Sequence, residues 1–270
     1  VSSLPFKLTD AQRGAIWQIA KDFGRVHPMN RLLQGDVGSG KTVVAGMSAS
    51  LAAQQGFQTA FMAPTEILAT QHAETLASLL EPFKITVGLL IGATKPAAKK
   101  RLYERISSGE VQIIVGTHAL IQDKVKFHKL GFVVIDEQHR FGVAQRQKLL
   151  EKSKHLPHLL SMTATPIPRS LALTVYGELD VSILNEMPCG RQPIKTFIVS
   201  PNSREAMYYK VEVEIQAGRQ VYVVCPLIDD NPEAEKRSVE LEHKKLQKTI
   251  FKHRQIGLLH GQLSSDEKQD

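Results

Sequence analysis

Cysteine is scarce: Cys189 and Cys225 are the two in 270 residues. They stand far apart without metal-type spacing, which excludes a disulfide framework and points to reduced thiols. Long apolar runs are missing too. Stretches such as Phe132, Val133, Val134 and Ile135 fall far short of the roughly 20 residues a membrane-spanning helix needs. Residues 1–12 lack a basic segment followed by an apolar one, so no targeting signal is read there and a cytoplasmic location is the default. Acidic residues are outnumbered, 27 Asp and Glu against 34 Lys and Arg, for a formal net charge of +7 and a pI near 9.3. A polyanionic partner fits that balance, although solubility alone also accounts for it. With 42% hydrophobic and 23% charged residues, the chain can bury one large core or two smaller ones.

What is present begins with Arg31, Leu32, Leu33, Gln34, Gly35, Asp36, Val37, Gly38, Ser39, Gly40, Lys41 and Thr42. This reads as a short strand, a glycine-rich turn and the start of a helix, and it contains G-x-x-x-x-G-K-T in full. Such a turn aims backbone N–H groups at a phosphate chain, and the helix adds its positive end. Lys41 then serves the β- and γ-phosphates and the Thr42 hydroxyl a Mg²⁺ ion. Residues 43–53 are apolar or small nearly all round, a helix buried against a sheet, with Gly56 as its stop. A nucleoside triphosphate is the expected ligand.

Upstream, Thr9 is an expected N-cap for an amphipathic helix through Ile16, Trp17, Ile19, Ala20 and Phe23. Gln12 occupies the capping-box position. Its amide could equally pair with the N6 and N7 edge of adenine, favouring ATP.

Downstream, strands are expected at 58–62, 85–91, 111–115, 132–135 and 159–162, with helices over 67–80 and 96–107, the rhythm of a doubly wound parallel sheet. Polar clusters follow the strand ends: Pro64, Thr65 and Glu66; Gly116, Thr117 and His118; Asp136, Glu137, Gln138 and His139; Thr163, Ala164, Thr165 and Pro166. Open α/β sheets bind ligands there. Adjacent carboxylates on a buried strand suit triphosphate hydrolysis, with Asp136 holding Mg²⁺ through water and Glu137 activating the attacking water. The segment through Pro168 and Arg169 reads alone as a turn, and 140–154 as a solvated helix.

Residues 185–196 lose all periodicity and mark a domain boundary. Beyond them strands are expected at 194–199, 220–225 and 256–260, a helix over 203–217, and a charged loop and helix over 229–253. Ser264, Ser265, Asp266 and Glu267 form a capping box just before the last residue, Asp270. The expectation is an α/β protein with one complete lobe over 1–184, a linker over 185–193 and an incomplete second lobe over 194–270.

Assembled, these motifs resemble the motor core of superfamily 2 helicases, RecA-like P-loop NTPases. More closely, the stretches beginning at Gly35, Ala63, Val115, Asp136 and Met162 resemble the RecG-type ATP-dependent DNA helicases. Ser39 and Gln138 favour that group over the transcription-repair coupling factor, which typically has Phe and Glu at those places. The resemblance implies an ATP-binding site of Gln12 and Gly35 to Thr42, with Asp36, Val37, Gly38, Ser39, Gly40 and Lys41 between, and Mg²⁺ on Thr42 and Asp136. Lys41, Asp136, Glu137, Gln138 and His139 would be catalytic. His139, Thr163, Thr165 and Arg169 would couple hydrolysis to movement. Pro64, Thr65, Glu66, Gly116, Thr117 and His118 would lie along DNA, whose strand-end hydroxyls and amides hold phosphates without reading sequence.

It further implies branched double-stranded DNA (stalled forks, Holliday junctions) as partner, no membrane, 3′–5′ branch migration, and a bacterial setting at the nucleoid. The wedge domain and the arginine finger of the second lobe are not in this sequence. Slow turnover is therefore expected unless Arg140, Arg146 or Arg169 substitutes. A nucleotide-binding switch without hydrolysis and a small-molecule kinase are the rival readings.

Overall fold

The computed structural model describes residues 6–165, 179–188, 194–227 and 238–263. The expectations for Pro166, Pro168, Arg169 and Cys189, for 228–237 and for the capping box at Ser264 fall outside the described residues. The chain forms two compact units, Val1–Gln192 and Pro193–Asp270.

The first unit opens with α1, Asp10–Phe23, whose N-terminus carries the full capping box: Gln12 N–H donates to Thr9 Oγ1 at 3.2 Å, and Thr9 N–H to Gln12 Oε1 at 3.0 Å. Then follow β1 (Asn30–Gly35), α2 (Lys41–Gln54), β2 (Gln58–Met62), α3 (Glu66–Leu80), β3 (Val87–Leu90), α4 (Pro96–Ser107), β4 (Ile113–Gly116), β5 (Leu130–Ile135), α5 (Val143–Leu150), β6 (His158–Thr163) and β7 (Asp180–Leu184). The seven strands form one sheet in the order β3-β4-β2-β5-β6-β1-β7, every pair parallel.

Both faces of this sheet are covered, which explains the unbroken apolar runs of its central strands. Successive residues divide between two cores. Phe61, Phe132, Val134 and Met162 pack with Ile19, Val44, Ala49 and Leu76 from α1, α2 and α3. Ala60, Met62, Val133 and Ile135 pack on the other side with Ile106 of α4 and Leu149 of α5. Where α2 meets α3, a Cβ on Gly46 would stand 2.6 Å from Leu76 Cδ2, so a hydrogen there lets the two helices close.

The strand β7 is not among the expected ones, because its hydropathy alternation is inverted: Ser182 is buried and Ile183 is 58% exposed. The cause is Arg31. Its guanidinium lies buried between the sheet and α1, with Nε on Asp22 Oδ2 at 2.7 Å and Nη1 on Ser182 Oγ at 3.0 Å. A buried charge needs such partners, and a hydroxyl serves where an alkyl group would not.

In the second unit the helix Arg204–Gln216 is formed, and Val239–Lys245 continues as a wider turn through Ile250. The strands expected at 194–199, 220–225 and 256–260 are not formed. The β contact recorded there among the described residues is an isolated bridge between Leu227 and Ser238. Those segments carry strand-forming residues, but a strand exists only as half of a hydrogen-bonded pair. The unit's small core joins Leu246 and Phe251, the latter edge-on to Tyr208 at 5.9 Å. Beside it Glu212 accepts from Arg254 Nη2 at 2.7 Å and meets His253 Nε2 at 3.2 Å. These hydrogen bonds hold its carboxyl down at about 2.

Candidate nucleotide site

All the site residues considered below lie in the first unit, at the carboxyl ends of the strands. The loop leaving β1 turns through Gly38 and Gly40, at φ of 83° and 90°, conformations that suit glycine. Gly35 has no room for a side chain, since a Cβ there would lie 2.9 Å from the Leu184 side chain. The Ser39 hydroxyl is buried without a hydrogen-bond partner. Lys41 Nζ donates to Gly35 O at 2.6 Å and Asp36 O at 3.1 Å. Burial lowers its pKa, against the opposing charges of Asp136, Glu137 and Asp36. A turn of this shape, with an unpartnered hydroxyl and an ammonium held only by carbonyls, fits a phosphate chain.

Gln12 is engaged at both ends of its amide. Beyond the cap, its Nε2 donates to Ser39 O at 2.8 Å in a buried contact, so α1 is tied directly to the loop.

The strand β5 delivers Asp136 and Glu137 on the far side of β6. Asp136 Oδ1 accepts from Glu137 N–H at 3.1 Å, and its Oδ2 accepts from His72 Nε2 at 2.8 Å. The other nitrogen of that ring, Nδ1, lies 3.5 Å from Thr42 Oγ1. Thr42 and Asp136, the two oxygen ligands expected for Mg²⁺, therefore converge on one imidazole, and hard oxygen donors of this kind fit that ion. His72 carries no motif and was invisible to sequence reasoning. Its only signal would have been its position on the buried face of α3, among Ala69, Ala73 and Leu76.

Glu137 adopts φ 47°, a left-handed conformation unusual for a non-glycine residue and most often kept where function requires it. Its carboxylate is 3.5 Å from His139 Nδ1. Gln138 is buried, with Nε2 unpartnered. At the end of β6, which lies between β1 and β5, the Thr163 hydroxyl meets that of Thr165, two residues on, at 2.9 Å. Gly116 and Thr117 are buried while Thr65 and His118 face outward. Thr65 already caps α3 through Leu68 N–H at 3.2 Å, and Glu66 Oε1 accepts from Ala93 N–H at 3.2 Å. Pro64 precedes them, and its neighbour Ala63 donates to Gly116 O at 2.8 Å, so the two clusters adjoin.

Known proteins resemble this chain in sequence and fold. The sequence pattern of the DEAD/DEAH box helicases matches residues 9–174. The ATP-dependent DNA helicase RecG of Synechocystis is 50% identical over 266 residues, 98% of this chain and 32% of its own length. The RecG of Aquifex aeolicus is 49% identical, over 99% of this chain and 34% of its own. This chain thus spans about a third of these relatives. A solved structure of RecG bound to a three-way DNA junction matches with a TM-score of 0.80 and 44% identity, covering 99% of this chain and 34% of that one. The DEAD-box helicase Mss116 bound to single-stranded RNA shares the fold, with a TM-score of 0.67 at 18% identity, over 99% of this chain and 58% of its own. The chain belongs to the DEAD/DEAH box helicase family and is RecG-like over nearly its whole length.

Proposed function

We propose that this chain is the ATP-hydrolysing part of a motor that translocates on branched double-stranded DNA and remodels forks and Holliday junctions. The observation that carries the reading is one sheet bringing Lys41 and Thr42, after β1, into reach of Asp136 and Glu137, after β5. Lys41 would exchange its two carbonyl partners for phosphate oxygens, where a charged donor is worth more. Thr42 and Asp136 would hold Mg²⁺, which neutralises charge on the phosphates. Glu137 would orient the attacking water and take its proton. Gln12 would release Ser39 O to meet adenine. His139, Thr163 and Thr165, with Arg169, would pass the change at the γ-phosphate to the rest of the protein. Thr65, His118 and the neighbouring backbone of Pro64, Glu66, Gly116 and Thr117 would follow a DNA strand. Partner choice rests on the likeness to the junction-bound RecG.

The test is ATP hydrolysis by the full-length protein with and without forked DNA. Strong stimulation by the fork is expected, and hydrolysis indifferent to DNA would overturn the reading. Two finer points rest on the resemblance alone: 3′–5′ polarity, checked by strand displacement on substrates of opposite polarity, and slow turnover by these 270 residues, checked by phosphate release beside the full-length protein. A Glu137→Gln variant should bind ATP normally and lose hydrolysis by about 10²-fold or more.

A further inference from the structure

We propose that His72 is a positioning residue of the nucleotide site, holding Thr42 and Asp136 in the arrangement that receives Mg²⁺; this rests on the motor reading above. Three elements meet at its ring. It projects from α3, it reaches Asp136 at the end of β5 at 2.8 Å, and it faces Thr42 in the first turn of α2 at 3.5 Å. The ring itself is fixed from behind by Phe61, centroid to centroid at 4.8 Å, and Phe61 is fully buried. His72 is mostly buried, with 13% of its side chain exposed. The approach of α3 to α2 that puts the ring there depends on the missing side chain of Gly46.

The chemistry of the two contacts is directional. A carboxylate only accepts, so Nε2 carries the hydrogen that binds Asp136, and in the neutral ring Nδ1 is an acceptor. The hydroxyl of Thr42 can then turn its hydrogen toward Nδ1 and leave both oxygen lone pairs for a cation. Asp136 is held at one oxygen by the ring and at the other by Glu137 N–H, which fixes the plane of the carboxylate. Ligand oxygens oriented by outer hydrogen bonds bind metal more tightly, and loss of such a partner typically costs 10- to 100-fold in metal affinity. No other residue of α3 offers this. Ala69, Ala73 and Leu76 are apolar, and Thr70 spends its hydroxyl on Glu66 O.

The experiment measures equilibrium binding of a fluorescent ATP analogue to the 270-residue chain as Mg²⁺ is raised, with an EDTA control, for the unaltered chain, His72→Phe and His72→Gln. Phe keeps the tilted ring contact with Phe61 and removes both polar contacts; Gln returns an amide N–H near the place of Nε2. The expected result for His72→Phe is a half-saturating Mg²⁺ concentration raised about 10- to 100-fold, with EDTA binding unchanged and a KM for Mg·ATP that rises more than kcat falls in the full-length enzyme. His72→Gln should recover most of the loss. Thermal midpoints accompany each variant, and if His72→Phe does not fold, His72→Leu carries the same deletion. An unchanged Mg²⁺ dependence overturns the proposal, and so does equal weakening with and without Mg²⁺, which would reduce His72 to packing. If the unaltered chain shows no Mg²⁺-dependent binding, the motor reading itself falls and takes this proposal with it.

Discussion

Two four-residue stretches, 132–135 and 221–224, are nearly interchangeable in composition: Phe, Val, Val, Ile in one and Val, Tyr, Val, Val in the other. In β5 the first is entirely buried, at 0% exposure for all four. In the second unit Tyr222 is 85% and Val224 is 89% exposed. The difference is company. The first is hydrogen-bonded on one side to β2 and on the other to β6, with helices over both faces, so backbone and side chains are satisfied together. The second has the same β propensity and no ladder. Propensity selects among conformations only where pairing and burial supply the free energy.

The contrast is sharpest in hydrogen exchange. Amides of β1, β2 and β5 should be protected by at least ~10³ relative to those of 194–199 and 220–225, because opening them requires unfolding the sheet. Comparable protection in both would break the comparison. A second test confines function to the first unit. Lys41→Ala should weaken ATP binding by roughly 100-fold or more, the loss of charge-assisted contacts worth about 1.5–3 kcal/mol each. Calorimetric titration checks this, and near-normal affinity would remove the loop from the site.

Glycines give a smaller difference. Gly46→Ala should cost about 1–3 kcal/mol by denaturant unfolding, since the added carbon meets the fully buried Leu76. Gly218→Ala meets nothing within 4 Å, and only its φ of 81° opposes it, so a loss of about 1 kcal/mol is expected. A larger effect at Gly218 than at Gly46 would mean that backbone strain there outweighs the crowding against Leu76.

The smallest effect separates the units by pH. His158 is half-buried, and burial lowers its pKa below 6.5 against the opposing charge of Asp22; the neutral ring accepts from Met29 N–H at 3.0 Å. The unfolded chain then binds the proton first, so the first unit should lose a little stability as pH falls below about 6.5. His158→Gln should flatten that slope in urea midpoints taken between pH 7 and 5. Glu212 has the same sign but acts lower on the scale. Its contribution is complete above its ordinary 4.5 and disappears only as pH falls through about 2, so the second unit should feel nothing from it across the same interval.

Much of this could be read from the chain before any coordinates. The helix Pro96–Ser107 and the strand Gln58–Met62 agree with their expected bounds, because each is bracketed by turn residues. The phosphate loop and the Asp136 pair were legible because their chemistry is contiguous in sequence. The strand β7 was not, since the buried Arg31 reverses its polarity pattern from 149 or more positions away in the chain. His72 was not legible for a related reason. Its two partners lie 30 and 64 residues away, and no spacing rule connects a helix face to the ends of two other elements. For Gln12 the alternatives of cap and binding group proved to be incomplete, as the amide caps α1 and grips Ser39 O at once.

The position of β6 between β1 and β5 turns the sheet into a ruler. Gln34 is in register with Thr163, and Ile135 with Ser161, so the loop strand and the carboxylate strand are separated by two ladder spacings, about 10 Å in all. Backbone hydrogen bonds set that span, and side-chain substitutions cannot stretch it. Evolution can retune the charges at either end of the gap one residue at a time, whereas the length of ligand that fits between them is inherited from the order of the strands.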